Sequence, residues 1–103
     1  MIPGRGQTCL EWAPLAFEDR EAIFTYIEQD SPRMAVEVDR RIAEQAEMLC
    51  DHPLMGRSGR IEGTRELVLA RIPYILVYLV LPDGVRVLRA LHASRDWPEA
   101  FLP

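Results

Sequence analysis

The chain has 103 residues, of which 49% are hydrophobic and 27% are charged. This length allows one globular domain and no more, and the composition is typical of a soluble protein. The longest apolar run, residues 75–82, is far too short to cross a membrane as a helix, so no membrane partner is expected. We predict a single domain over residues 1–103, with residues 1–7 as a flexible lead-in.

The net charge of −4 argues against a general nucleic-acid binder, but the charge is unevenly distributed. Residues 1–55 contain 11 acidic residues and 5 arginines, whereas residues 56–103 contain 5 acidic residues and 7 arginines. All twelve basic residues are arginine. The arginine fork suits carboxylate and phosphate recognition, although a chain without lysine is equally explained by a GC-rich genome.

The two cysteines, Cys9 and Cys50, are far apart and match no metal-binding spacing. In a reducing compartment, cysteines of this kind are usually thiols that pack as small hydrophobic side chains. We therefore expect both to be reduced, and we expect neither a metal nor a cofactor.

Two helices are predicted in the first half of the chain. Residues 13–30 place Pro14 at the first helical position, and Glu18 and Asp19 follow in an early turn, where acidic side chains favour the helix dipole. The apolar residues of this helix recur at helical spacing and share one face: Ala16, Ile23, Phe24 and Ile27.

The second helix is predicted to begin at Ser31, a good N-cap, with Pro32 at the first helical position. Its apolar stripe recurs every three or four residues: Ala35, Val38, Ile42, Ala46 and Leu49. The sequence Asp-His-Pro at residues 51–53 ends this helix, because a residue before proline avoids the helical conformation. The short break between the two helices makes them a hairpin.

The second half is predicted to form strands. Residues 54–63 are a glycine-punctuated loop, and residues 64–70 are a first strand. Residues 74–81 and 85–92 form a hairpin around a Pro-Asp-Gly turn. Residues 8–12 suit a further strand ahead of the helices. We predict an α+β fold, in which an N-terminal strand and a two-helix hairpin pack on a mainly antiparallel sheet in the order β-α-α-β-β-β.

Three segments carry a family resemblance: DHPLMGRSGRIEGTREL at 51–67, PYILVYLV at 73–80 and VRVLRALHASRDWP at 85–98. They combine a helix ending in His-Pro, a loop with two Gly-Arg pairs, a Gly-Thr-Arg-Glu-Leu motif and a strand ending in Leu-His. Together with the upstream DREAIFTYIEQDSP, this combination resembles the RelE/ParE superfamily of small toxins from type II toxin–antitoxin modules. The resemblance covers nearly the whole chain.

The resemblance implies a small cytoplasmic toxin that a cognate antitoxin holds inactive in a hetero-oligomer. The antitoxin's C-terminal segment would be disordered alone and ordered on the toxin. One branch of the superfamily poisons DNA gyrase and is not a nuclease, and another cleaves mRNA on the translating ribosome. A third alternative is an inactive homologue that only binds its antitoxin.

The residues favour the gyrase branch over the nuclease branch. In the nuclease branch an arginine commonly follows the aromatic residue that opens the strand at 74–81, and here that position is Ile75. Nucleases of the superfamily also often carry lysines on the strand that corresponds to residues 64–70, and this chain has none.

If the protein is nevertheless a nuclease, the resemblance gives Arg65, His92 and Arg95 as its catalytic candidates. Cleavage by a 2′-hydroxyl requires a base near that hydroxyl, an acid near the leaving oxygen, and cations for the transition state. The target-binding candidates, for either branch, are Arg57, Arg60, Arg65, Arg95 and Trp97.

Structural interpretations of the same residues remain open. His92 at a strand end can hydrogen-bond a neighbouring turn, and Trp97 can pack the tail onto the domain. Arg65 beside Glu66, like Arg95 beside Asp96, can be a surface charge pair that contributes little.

Tyr74 and Tyr78 share one strand face, which favours a place in the core over acid–base chemistry. Arg57 and Arg60 lie on the glycine-rich loop without a partner in the local sequence. They are therefore the first choice for contact with an acidic target or with phosphate.

Overall fold

The computed structural model describes residues 9–94. In chain order, the elements are β1 (Leu10–Trp12), α1 (Pro14–Glu28), α2 (Pro32–Asp51), β2 (Arg57–Ser58), β3 (Arg65–Val68), β4 (Tyr74–Leu81) and β5 (Gly84–His92). The predicted α+β fold is confirmed. The structure has one strand more than the sequence predicts, because the two-residue strand β2 lies inside the segment predicted to be a loop.

The described strands form one mixed sheet in the order β1-β5-β4-β3-β2. β1 runs parallel to β5, and every other neighbouring pair is antiparallel. The first strand of the chain therefore pairs with the last, with Leu10 opposite Val85. A register shift between Val77 and Tyr78 interrupts the long β4–β5 pairing.

Both helices begin as the sequence predicts. Pro14 and Pro32 lie at the starts of α1 and α2, and the Ser31 hydroxyl accepts a hydrogen bond from the Met34 N–H at 3.1 Å. Satisfying a free N–H in this way is what makes serine a good N-cap. α2 ends at Asp51, and the backbone N–H of His52 donates to the Met48 carbonyl, so His52 belongs to the turn that closes the helix.

The helix hairpin covers one face of the sheet. All five stripe residues of α2 are buried, as predicted, and all of them except Ala35 belong to the core cluster against that face. The residues that meet them from the sheet are Leu67, Leu69, Tyr74, Leu76, Tyr78, Val85, Val87 and Ala90. Tyr74 and Tyr78 are thus core residues, which confirms the structural interpretation of both. A smaller buried cluster of Ile75, Val77 and Leu91 is separate from this core.

The predicted dipole role of Glu18 and Asp19 is wrong. Because α1 begins at Pro14, both acids lie beyond its first turn, where the dipole effect has faded. Asp19 instead reaches the sheet, where it accepts two hydrogen bonds from Arg89 and one from the backbone N–H of Ala90.

The expectation of two reduced thiols is also contradicted. Cys9 and Cys50 form a disulfide, with their Cα atoms 5.5 Å apart. The fold brings the cysteines together because the segment that enters β1 passes the last turn of α2, a contact that cysteine spacing does not reveal. No helix within residues 9–94 is both long and apolar enough to span a bilayer.

Candidate functional site

A buried carboxylate lies where β2 pairs with β3. The side chain of Glu66 is 1% exposed. Arg57 donates to its Oε1 from Nε at 3.1 Å and from Nη2 at 2.9 Å. The backbone N–H of Arg60 donates to Oε2 at 2.7 Å, and the Arg60 Nε lies 3.8 Å from the same oxygen. One carboxylate therefore fixes both a strand residue and a loop residue.

The prediction that Arg57 and Arg60 lack a partner is wrong, since both are tied to Glu66. The alternative in which Arg65 pairs with Glu66 is also wrong, because the Arg65 side chain donates to the Gly56 carbonyl. Neighbouring residues of a strand point to opposite faces, so the alternation of β3 could have excluded that pair. Glu66 itself was missed, because an acidic residue in a strand gives no sign of burial.

The three arginines nevertheless remain accessible and make up the arginine edge, defined as Arg57, Arg60 and Arg65. The side chains of Arg57 and Arg60 are 54% and 47% exposed, and Arg65 is half-buried. Their position at the β2 side of the sheet leaves guanidinium surface available for an acidic group. Because Glu66 and Gly56 orient them, less side-chain freedom is lost when such a group binds.

Tyr78 fixes the loop between α2 and β2 from inside the core. Its buried hydroxyl accepts a hydrogen bond from the Gly56 N–H at 2.9 Å and donates one to the Pro53 carbonyl at 2.7 Å. Gly56 fits here because a Cβ would lie 2.7 Å from both the Tyr78 hydroxyl and the Glu66 carbonyl oxygen. The loop thus enters the arginine edge in a single conformation.

Replacing Tyr78 with phenylalanine is expected to lower the free energy of unfolding by about 1–3 kcal/mol, because a buried N–H and a carbonyl lose their partner. Burial raises the pKa of Tyr78 above the ordinary value of 10.0. The folded state then holds the phenolic proton more tightly than the unfolded state, so stability is lost as pH rises above about 10. Chemical denaturation from pH 8 to 11 measures both effects.

A matched control for this prediction is Tyr26→Phe, since Tyr26 is an exposed tyrosine of α1. We expect that variant to keep the stability of the unmodified chain at pH 8, because the exposed side chain of Tyr26 makes no buried hydrogen bond comparable to those of Tyr78. A Tyr78→Phe variant that loses as much stability as the unmodified chain above pH 10 would contradict the assigned role of the hydroxyl.

His92 ends β5 in a local hydrogen-bonded turn. Its ring meets Tyr74 edge-on with centroids 5.4 Å apart, and its Nδ1 lies 3.2 Å from the Ser94 N–H and 2.8 Å from the Ser94 hydroxyl. Because a backbone N–H only donates, Nδ1 is an acceptor, and neutral His92 carries its proton on Nε2. This geometry matches the structural interpretation of His92.

An open cleft of about 550 Å³ lies between α1 and the adjacent ends of β4 and β5. Its walls are mainly apolar and include Ile23, Ile27, Val38 and Pro73. Its polar groups come from Asp19, Tyr26, Tyr74 and His92. Apolar walls with a few placed polar groups are typical of clefts that bind a ligand or a peptide.

The structure does not bring the nuclease candidates together. Arg65 lies opposite Tyr78 and His92 lies opposite Tyr74, four positions away on β4. That spacing corresponds to about 14 Å along the strand. The Arg65 side chain is held by Gly56, at the end of the sheet away from His92. Two other candidates, Arg95 and Trp97, lie outside the described residues.

Within residues 9–94, no three His, Cys, Asp or Glu side chains are grouped so that they could hold a metal ion. The candidate surfaces of the described chain are therefore the arginine edge and the cleft. A helix hairpin on one face of a mixed sheet is the architecture that the resemblance to the RelE/ParE superfamily implies.

Comparison with known proteins identifies the family. Residues 10–97 match the family described as the ParE toxin of the type II toxin–antitoxin system, parDE. A relative from Sinorhizobium fredii, named "Putative toxin Y4kP", is 42% identical over 92 residues, which cover 89% of this chain and 95% of the relative. A solved structure described as the chromosomal ParDE TA system from P. aeruginosa superposes with a TM-score of 0.76 at 26% identity, covering 86% of this chain and 99% of that chain.

The chain belongs to the ParE toxin family, and it is the toxin component of a type II toxin–antitoxin system. Membership in this family implies a cognate antitoxin as its partner. The resemblance to the RelE/ParE superfamily is thereby confirmed.

Proposed function

We propose that the free toxin arrests growth by binding DNA gyrase and poisoning it, without catalysing a reaction of its own. The observation that carries this proposal is the match to the ParE toxin family over residues 10–97. Growth arrest then depends on the binding of the toxin to gyrase. The functional site is therefore a protein–protein contact surface.

The surroundings of Ile75 support the same choice. Ile75 is 3% exposed and packs in a buried apolar cluster with Val77 and Leu91. The nuclease branch commonly has a phosphate-binding arginine at this position. In this chain, the side chain at this position packs against apolar neighbours. The separation of Arg65 from His92 along β4 also favours a toxin that acts by binding.

We assign contact with the target to the arginine edge. Its guanidinium groups are oriented by Glu66 and Gly56, and they remain open to solvent. Charge-assisted hydrogen bonds to carboxylates or phosphates are about twice as strong as neutral ones, so an acidic surface of the gyrase–DNA complex is a suitable partner.

The antitoxin has a separate site in this proposal. The cleft between α1 and the β4–β5 ends suits an apolar segment of the antitoxin that becomes ordered on binding. The toxin would meet both proteins in the cytoplasm. Neutralisation would then follow if the bound antitoxin also covers the arginine edge or holds the toxin away from gyrase.

A direct test is to add the purified toxin to gyrase supercoiling reactions and, in parallel, to a translating extract in which mRNA ends are mapped. Inhibited supercoiling with intact mRNA is the expected result. Ribosome-dependent cuts in mRNA with normal supercoiling would refute the proposal and favour a nuclease. A chain that neither inhibits gyrase nor arrests growth would be an inactive antitoxin-binding homologue.

Replacing Arg60 with alanine is expected to weaken gyrase inhibition about 5- to 30-fold, the effect of losing a contact worth about 1–2 kcal/mol. The fold should tolerate this change, because Glu66 keeps its hydrogen bonds from Arg57 and from the backbone N–H of residue 60. The toxin concentration that halves the supercoiling rate measures the effect.

The matched control is Arg86→Ala. Arg86 is also exposed and also paired with an acid, Glu11, but it lies at the β1–β5 side of the sheet, away from the arginine edge. We expect this variant to inhibit gyrase normally. Equal losses in Arg60→Ala and Arg86→Ala would show that general charge, and not the arginine edge, determines binding.

A further inference from the structure

The Cys9–Cys50 disulfide occupies a particular place in the fold. Cys9 is the residue immediately before β1, and Cys50 lies in the last turn of α2. The bond therefore joins the first strand of the sheet to the end of the longer helix, across 41 positions of sequence. It closes a loop that contains the whole helix hairpin.

Besides the disulfide, β1 is held by noncovalent contacts: Leu10 and Trp12 pack against the main core, and the Trp12 ring centre lies 6.3 Å from that of Phe17. The strand has three residues and pairs with one neighbour, β5. Glu11 is exposed, and its ion pair with Arg86 is a surface pair, a kind that contributes about 1 kcal/mol or less. Trp12 is half-buried and stacks under Arg20, whose guanidinium carbon lies 4.6 Å from the ring centre. Because β1 has three residues and a single neighbour among the described strands, it opens locally at a lower cost in free energy than the central strands.

The disulfide also holds Cys9 against the turn between β4 and β5. A Cβ on Gly84 would lie 2.5 Å from the Cys9 carbonyl oxygen and 2.8 Å from its Cα, so the two backbones are in close contact. The peptide chain links one end of β1 to α1, and the disulfide links Cys9, at the other end of β1, to α2.

We propose that Cys9 and Cys50 form a reversible redox latch on β1, closed as the disulfide and open as two thiols. In closing, the two thiols lose two protons and two electrons and form the S–S bond. The oxidant is a low-molecular-weight disulfide such as oxidised glutathione, which is cleaved to two thiols. Disulfides in reducing compartments are typically transient and redox-responsive, so the state of this latch follows the thiol balance around the toxin.

Closing the latch has two consequences. Across a loop of this length, a disulfide lowers the unfolding equilibrium constant on the order of 100- to 1,000-fold, chiefly by restricting the unfolded chain. It also suppresses the local opening of β1, a strand that contacts α1 through Trp12 and Arg20. Free toxin in an oxidising environment is therefore longer-lived than the same chain under reducing conditions.

The test uses the full chain equilibrated in reduced and in oxidised glutathione, with the state of the thiols read by alkylation and mass measurement. Brief hydrogen–deuterium exchange then reports on each strand. We expect loss of both thiols in oxidised buffer, their recovery in reduced buffer, and rapid labelling of residues 10–12 only in the reduced chain. β4, at the centre of the sheet, should remain protected in both states at short labelling times.

The double variant Cys9→Ser/Cys50→Ser should behave like the reduced chain in both buffers. Reduction of the unmodified chain provides the same comparison without a mutation, so a poorly folding variant does not obscure the result. Failure of the thiols to pair, or β1 labelling that is the same in both states, would overturn the proposal. Because the readouts are thiol content and exchange, they are independent of whether gyrase is the target.

Discussion

Replacing Asp19 with alanine is expected to lower the free energy of unfolding by about 3–5 kcal/mol, because it removes the carboxylate that accepts two hydrogen bonds from a nearly buried arginine. The side chains of Asp19 and Arg89 are only 11% and 12% exposed. Arg89 donates to Asp19 from Nε at 2.8 Å and from Nη2 at 2.9 Å, and the Ala90 N–H donates to the same carboxylate at 2.9 Å. Guanidinium denaturation measures the loss.

The charge on Arg89 cannot be relieved by losing a proton. Its hydrogen bonds to Asp19 raise the pKa of Arg89 above the ordinary value, and even without them an arginine stays protonated. The Asp19→Ala variant must therefore bury a charge or pull Arg89 out of the α1–β5 contact. Replacing both residues, as Asp19→Ala with Arg89→Leu, should restore part of the stability.

Asp39→Ala is the matched control for Asp19→Ala. Asp39 also accepts two hydrogen bonds from one arginine, Arg20, but this pair between α1 and α2 is more exposed. We expect a loss of about 1 kcal/mol, as for pairs that water can reach. If the two variants lose equal stability, burial is not what gives the Asp19–Arg89 pair its importance.

Arg57→Ala is expected to lower the free energy of unfolding by about 2–3 kcal/mol, and more than Glu66→Gln, which should lower it by about 1 kcal/mol. The alanine leaves a buried carboxylate with a single close donor, the backbone N–H of Arg60. The glutamine removes the buried charge and keeps an oxygen for that donor. An uncompensated buried charge is the larger penalty.

Denaturation of both variants, and of the double variant Arg57→Ala/Glu66→Gln, determines the order of these effects. The double variant should be more stable than Arg57→Ala alone, because neutralising residue 66 removes a buried charge that only Arg60 still contacts. A Glu66→Gln variant that is less stable than Arg57→Ala would contradict the central place given to the carboxylate.

The sequence predicts those parts of the fold whose causes are local. Ser31 and Pro32 define the start of α2 because capping and proline geometry depend on neighbouring residues only. The buried stripe of α2 follows from its helical spacing. The strands at 74–81 and 85–92 follow from β-branched residues around a turn.

The contacts that build the candidate site depend on tertiary structure, which explains why the sequence did not reveal them. Glu66 is adjacent to Arg65 in sequence but pairs with Arg57, nine positions away. Asp19 reaches Arg89 across 70 positions. Cys9 and Cys50 approach only because β1 pairs with β5 beside the end of α2. Such pairings become visible only when the register of the sheet is known.

The arginines show how much the amino-acid composition alone can indicate about the surface of a protein. Seven of the twelve arginines lie in residues 56–103, where they outnumber the five acidic residues. Composition could not indicate that Arg89 forms a nearly buried ion pair with Asp19, while Arg57 and Arg60 stay accessible to solvent. That division follows from which carboxylates the fold places beside each guanidinium.

The parallel pairing of β1 with β5 has a consequence for synthesis of the toxin. Leu10 pairs with Val85, which is translated 75 residues later. Until β5 has left the ribosome, β1 has no strand to pair with, β4 lacks one neighbour, and Asp19 lacks Arg89. Contacts so distant in sequence form late in folding. The nascent chain thus completes its sheet only after β5 has left the ribosome.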